Sequence, residues 1–295
     1  MNMTMNNPEI KNKPGAKTPS QLYIIGRAAI YAVLALWAAI QLFPLYWMFT
    51  FALKSNDEIF RINPIGPPIV WHWENFASVI TSAHMGTYVV NSVIVATVTI
   101  LVVAVFGLMA TYALTRMAWR GRETARSFFM LGLAIPIHAA LLPVFLLLRN
   151  LRLLNTHWAL ITPYSAFALS MGILIFIGFI ESVPHELEEA ACIDGCTVYG
   201  IFFRIVFPLM RPAIAVVAIF TYLQSWNELL FASTYATDWH FRTITVGVME
   251  MSGQYRTEWG PIGAGMTIAT LPTLLLYILL SEKVQKSIIM GAVKG

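Results

Sequence analysis

Few residues in this chain stand where they could do chemistry. The six histidines, His72, His84, His138, His157, His185 and His240, are scattered, without the His-Glu-x-x-His spacing that sets two imidazoles and a base on one helix face. No Gly-x-x-x-x-Gly-Lys-Ser/Thr run offers backbone N–H groups to a phosphate, and no serine or cysteine sits in a nucleophile elbow. Cys192 and Cys196, the only cysteines, form a C-x-x-x-C pair that lacks two of the four ligands a structural metal needs. The expectation is a chain with no catalytic residue, no metal site and no cofactor of its own. Two polar groupings remain. One is the strip Gln224, Ser225, Asn227 and Glu228 within an apolar run; the other is EEAACIDGCTVYG, Glu188 to Gly200, between two long apolar stretches.

The elements that must position these groups follow from composition. At 295 residues, 58% hydrophobic and 12% charged, with a mean hydropathy of +0.67, the chain is far from the balance of a soluble domain. It reads as an all-α membrane protein. Its apolar residues gather into six runs of roughly twenty residues or more, the length a helix needs to cross about 30 Å of hydrocarbon. They run from Ala28 to Leu53, Val89 to Leu114, Phe128 to Leu148, Trp158 to Ile180, Ala213 to Ala232 and Ile262 to Leu280. They do not alternate in twos, which excludes a barrel. Pro44, Pro136, Pro143, Pro163 and Pro272 should break or bend their helices.

Orientation follows from the basic residues. With a cytoplasmic N-terminus, thirteen of the 19 lysines and arginines fall inside, among them Lys11, Lys13, Lys17, Arg116, Arg120, Arg122 and Lys286. Both termini are therefore expected in the cytoplasm, and the basic pI needs no nucleic acid to explain it. Residues 1–27 read as a polar cytoplasmic tail, 28–290 as the six-span domain and 291–295 as a second cytoplasmic tail. Cysteines on that side form no disulfide framework. Trp71 and Trp73, after Pro67-Pro68, read as anchors at the outer interface.

The loop from 181 to 212 has its own local logic. Pro184 suits a helix first turn, and Glu186, Glu188 and Glu189 crowd the end where the macrodipole favours negative charge. Leu187, Ala190, Ala191 and Asp194 fall at i, i+3, i+4 and i+7, giving a face small enough for close approach of another chain. Gly195 ends the helix in a left-handed conformation. Thr197 caps a second helix whose Val198, Ile201, Phe202, Ile205 and Val206 are apolar, and Pro208 and Pro212 stop it. By pattern alone the loop is either an interfacial helix resting on lipid or a docking helix for a protein groove. The acids and alanines favour docking.

The order Glu189-Ala190-Ala191, then Gly195, then Ile205 and Pro208 resembles the EAA loop of ATP-binding-cassette importer permeases, and Ile193-Asp194-Gly195 resembles its carbohydrate branch. Phe207 stands where leucine is usual, and Cys196 where alanine is frequent; both are apolar exchanges. The likeness extends to Asn91-Ser92, Ala110 to Arg116, Leu153 to Thr156, Trp226-Asn227-Glu228, Thr243 to Gly247 and Gly291 to Gly295. Together these cover most of residues 28–295 and resemble a maltose-type, binding-protein-dependent inner-membrane permease.

The resemblance implies a type I importer permease fold with six transmembrane helices in the inner membrane. It implies a second homologous permease, two ATPase subunits that bind the ATP, an extracytoplasmic solute-binding protein and a sugar or oligosaccharide as cargo. Glu189, Ala190, Ala191, Asp194, Gly195, Ile205 and Pro208 would then form the ATPase-coupling segment, and Gly291, Lys294 and Gly295 a tail reaching between the ATPases. Asn91, Tyr112, Gln224, Asn227 and Glu228 are candidates to line the pore, with helix-to-helix hydrogen bonding as the rival duty of Asn91 and Tyr112. Two other functions compete: an ion-driven secondary transporter and a membrane scaffold. The first is short of intramembrane charge and has no use for an EAA segment; the polar strip at Glu228 weighs against the second.

Overall fold

The apolar runs become helices, and among the described residues no strand forms. The computed structural model describes residues 21–82, 84–252 and 257–292. In chain order the helices are α1 Gln21–Ala52, α2 Glu74–Ser82, α3 Met85–Thr115, α4 Arg122–Leu131, α5 Leu141–Asn150 and α6 Trp158–Ile180. Then come α7 Glu186–Ile193, α8 Val198–Ile201, α9 Phe207–Leu209, α10 Arg211–Asn227, α11 Leu230–Tyr235, α12 Ile244–Glu250 and α13 Trp259–Ala292. Residues 21–27, expected in the tail, are already helical, and residues 1–20 lie outside the described residues.

Among the described residues four helices are long and apolar enough to cross a membrane: Ile25–Ala52, Met85–Thr115, Trp158–Ile180 and Trp259–Leu279. A fifth crossing is a bent pair, Val198–Leu209 with Arg211–Asn227, broken by 72°. The bend falls where Pro208 and Pro212 interrupt the hydrogen-bond ladder. The remaining expected span, Phe128 to Leu148, is not one helix. It is split into α4, a 3₁₀ turn at Ile137–Ala140 and α5. Pro136 is the cause, extended at φ −63°, ψ 119°, whereas Pro143 sits in the first turn of α5 where its missing N–H is no loss. The strip of the fifth span is likewise cut, because Glu228 leaves the helix at ψ 128° before α11 begins.

The chain divides into two units, residues 1–47 and 48–295. The first holds α1 as far as Trp47. The second is organised on α3, which packs along α6 and α10. One half is a cluster of Val103, Leu108, Phe176, Val206, Met210 and Val217, beside the loop that holds α7; the other gathers Val95, Leu160, Tyr164, Phe231 and Tyr235. Gly172 on α6 allows the close approach, since a Cβ there would stand 3.0 Å from Val103 and 3.3 Å from Val217.

After α1 the chain folds into a loop tied by a buried lysine. The Lys54 ammonium donates to the carbonyls of Asn63 (2.6 Å) and Gly66 (2.7 Å), and Glu58 accepts the Ile69 N–H at 2.7 Å. Burial lowers the Lys54 pKa, opposed by the nearby Glu58 carboxylate. Trp71 and Trp73 stack at 6.0 Å on this loop and are exposed.

Candidate coupling loop and translocation cavity

The loop forms the helices its local chemistry dictates. α7 carries Glu186, Glu188 and Glu189 in its first turn and stops at Asp194. Gly195 follows at φ +78°, and the N–H groups of Gly195 and Cys196 return to the carbonyls of Cys192 (3.0 Å) and Ala191 (2.9 Å). Thr197 caps α8, its Oγ1 accepting the Gly200 N–H at 3.3 Å. Beyond α8 a π-helical turn, Phe202–Val206, turns Phe202 and Val206 inward and leaves Ile205 and Pro208 half-buried.

The face expected to receive a partner divides in two. Ala191 alone in α7 is buried, within the cluster that holds Tyr112, Phe202, Val206 and Met210. Leu187, Glu189, Ala190, Ile193 and Asp194 are exposed, Ile193 at 87%. α7 is therefore seated on its Glu188 and Ala191 side and bare on the other.

The seat is a polar cluster in which sequence reasoning missed three members, Arg116, His185 and Glu188. The side chains of Arg116 and Glu188 are only 5% and 12% exposed, and Arg116 Nε faces Glu188 Oε1 at 3.0 Å as an ion pair without hydrogen-bond alignment. The other Glu188 oxygen accepts the Tyr112 hydroxyl at 3.1 Å. Arg116 Nη2 donates to the carbonyls of Ile180 (2.8 Å) and Val183 (2.6 Å), while Nη1 meets His185 Nε2. One planar fork thus joins the ends of α3 and α6 to α7. The available signal was only Arg116 closing the run Ala110 to Arg116.

Near the other end of α3, Asn91 is buried. Its Nδ2 donates to the carbonyls of His240 (2.8 Å) and Arg242 (2.9 Å). Its Oδ1 accepts from His157 Nε2 at 2.9 Å, which fixes the ring proton on Nε2 because a carboxamide oxygen only accepts. Burial lowers the His157 pKa and so favours this neutral form. Ser92 Oγ accepts the Ile244 N–H at 2.9 Å.

Gln224, Asn227 and Glu228 come together at an open cavity of ≈ 530 Å³, with Ile137, His138, Leu223, Leu229 and Leu230. Asn91 and Tyr112 are not among its lining residues. Glu228 is 8% exposed and its carboxylate is already engaged. It accepts the N–H groups of Phe231 (2.9 and 3.0 Å) and Ala232 (3.1 Å) and the Tyr164 hydroxyl (2.6 Å), with His138 Nε2 at 3.9 Å. The groups presented to the cavity are the amides of Gln224 and Asn227 and the His138 imidazole, 57% exposed. His138 was read only as one scattered histidine. Gly291 lies in the last turn of α13, and Lys294 and Gly295 lie outside the described residues.

Comparison with known proteins agrees with this architecture. Residues 103–289 match the family model described as binding-protein-dependent transport system inner membrane component. A probable ABC transporter permease of Bacillus subtilis is 34% identical over 97% of this chain and 93% of its own length. A diacetylchitobiose uptake system permease of Streptomyces coelicolor is 34% identical over 90% and 88%. A trehalose/maltose transport system permease of Thermococcus litoralis is 30% identical over 88% and 94%. Among solved structures, a chain of a bacterial ABC transporter involved in import of the acidic polysaccharide alginate superposes with a TM-score of 0.76. It covers 90% of this chain and 99% of that one at 18% identity.

Proposed function

Because this chain belongs to the family of binding-protein-dependent inner-membrane transport components, and so is a multi-pass permease of an ABC importer, we propose that its cargo is a sugar or oligosaccharide. We propose further that α7 is its coupling helix. The observation that carries the second reading is the asymmetry of α7. Its inner side is held by Arg116, Tyr112 and Ala191, and its outer side offers Leu187, Ala190, Ile193 and Asp194 to a partner. A lipid-resting helix would have no use for three glutamates and an aspartate.

In this reading two ATPase subunits bind and hydrolyse the ATP, and a second homologous permease completes the pore. An extracytoplasmic solute-binding protein delivers the cargo. Both termini are cytoplasmic, as the excess of basic residues on that side supports. Gln224, Asn227 and Glu228 line the path, with Glu228 setting the wall and the two amides facing the cargo. Amides and an imidazole suit the hydroxyls of a carbohydrate, to which they can donate and from which the amides can also accept. The names of the diacetylchitobiose and trehalose/maltose relatives support the same class. Leu187, Ala190 and Ile193 give the ATPase an apolar seat, and the covalent link through α8 and α9 carries its motion to α10.

Ile193→Glu tests the coupling reading, because it places a charge on the bare face without touching the seat. The variant should insert in the membrane and pair with the second permease, yet lose the ATPase subunits on co-purification and lose uptake. An intact complex with full uptake would sink the reading and return α7 to a lipid-facing role.

A further inference from the structure

We propose that α3 is the strut that carries motion of α7 to the outer side of the membrane, with Arg116 as the positioning residue that fastens α7 to it. This rests on α7 as the ATPase-coupling helix. By chain connectivity alone, a push on α7 reaches α6 before it and α10 after it; α3 has no covalent neighbour in the loop. Arg116 supplies the missing link. It caps the C-terminal end of α3, and its guanidinium holds Glu188 and His185 of the loop together with the carbonyls of Ile180 and Val183. α7 cannot separate from α3 without leaving a nearly buried guanidinium and carboxylate unpaired.

The rest of α3 is built to carry that motion. It runs unbroken for 31 residues, whereas the other helices long enough to cross, α1, α6 and α13, each contain a proline: Pro44, Pro163 and Pro272. Val103 and Leu108 near its middle are fully buried against α6 and α10, which brace that side of the helix. Asn91 lies about 32 Å from Tyr112 at the usual helical rise. There Asn91 and Ser92 hold the segment from His240 to Ile244 through its backbone. Backbone bonds fix where that segment lies whatever its side chains are. The same rod thus grips the coupling helix at one end and an outer segment at the other.

The test uses the full complex, purified with its ATPase and second permease and reconstituted in proteoliposomes, in a Cys192→Ser/Cys196→Ser background. A single cysteine introduced as Thr237→Cys, beside the outer segment, or as Asn227→Cys, on α10, reports its reaction rate with an impermeant maleimide. The rate is compared with and without Mg-ATP and vanadate loaded inside. Trapping should change both rates several-fold. Arg116→Lys keeps the charge but cannot hold two carbonyls, Glu188 and His185 at once. It should retain the ATPase subunits, lose the response of the Thr237→Cys reporter and keep that of the Asn227→Cys reporter, which α8 and α9 still serve. Asn91→Ala should weaken the response of the Thr237→Cys reporter, and the double variant should be no weaker than the weaker single, because both act on one rod.

A Thr237→Cys response that survives Arg116→Lys overturns the proposal. So does loss of both reporters' responses together, which marks general damage, or additive losses in the double variant. If Arg116→Lys does not assemble, Glu188→Gln repeats the measurement, and loss of the ATPase from both variants also overturns the proposal, since the bare face of α7 is unchanged in either. Failure of the coupling reading itself has a different signature: Ile193→Glu keeps its ATPase.

Discussion

Glu188, nearly buried, and Glu228, buried, lie near opposite ends of the same helix packing, and each accepts a tyrosine hydroxyl, Tyr112 for one and Tyr164 for the other. They are neutralised in different ways. Glu188 faces a full cation, the Arg116 guanidinium, whereas Glu228 is wrapped by the N–H dipoles of Phe231 and Ala232. Dipoles fixed in one helical turn hold a carboxylate in place; they cannot follow it. A guanidinium on the end of another helix ties two separate elements together. Glu228 is therefore fixed within its own turn, and Glu188 joins two separate elements.

The comparison breaks most plainly under Glu188→Ala. Removing one partner of a buried pair leaves Arg116 uncompensated, which costs about 3–5 kcal/mol. Thermal unfolding of the detergent-solubilised complex should show the loss, and Arg116→Met combined with Glu188→Leu should recover most of it. If the single change is silent, the pair is a solvated contact and not a joint.

Glu228→Gln sharpens the other half. One amide oxygen still accepts from Phe231 and Ala232, but the NH₂ can no longer accept, so about one hydrogen bond's worth, roughly 1–3 kcal/mol, is lost. The effect should be smaller than that of Glu188→Gln in the same unfolding assay. A reversed order would mean that Glu228 needs its charge, and His138 at 3.9 Å would then be its counter-ion.

Gly195→Val comes next. A Cβ at Gly195 meets nothing within 4 Å, so the cost is backbone strain alone at φ +78°, about 1–2 kcal/mol. Uptake and ATPase recovery should fall together while membrane insertion is kept. Gly195→Ala carries the same strain and should behave the same way; an alanine variant at full activity would show that the turn relaxes freely.

What could be read from sequence follows the range of the interactions. The Gly195 turn, the Thr197 cap and the acidic first turn of α7 depend on residues a few positions apart, and each forms as expected. The joint depends on partners 69 and 76 residues apart, Arg116 with His185 and Tyr112 with Glu188, and no local pattern announces it. In sequence Glu188 was one of three acids with the same dipole role; packing singles it out because helical phase turns it inward with Ala191. The same limit applies to Glu228, whose tyrosine partner lies 64 residues away. The stretch from Phe128 to Leu148 is not one helix: hydropathy counts only length and apolarity, and the break falls at Pro136, one of the prolines expected to break or bend its helix.

The smallest effect lies in the outer segment that α3 holds. Asp238 accepts the His240 backbone N–H at 3.0 Å and meets its ring Nδ1 at 2.7 Å, and these bonds, backbone first, hold the Asp238 pKa below its ordinary value. A carboxylate whose folded pKa is depressed stabilises the fold above its unfolded pKa, and that contribution fades as pH falls through the folded value. The window is therefore acidic, below the ordinary carboxylate range, and Asp238 is exposed, so salt and solvent screen it. Acidification should loosen the segment from Asp238 to Arg242. Protease cleavage at Arg242 from the outer side, followed as pH is lowered at a protease concentration corrected for its own activity, reads this directly. Asp238→Asn should show the loosened cleavage rate already at neutral pH and little further change on acidification. If the variant and the parent respond to acid alike, Asp238 has no part in keeping the segment on α3, and the bonds from Asn91 and Ser92 hold it without that carboxylate.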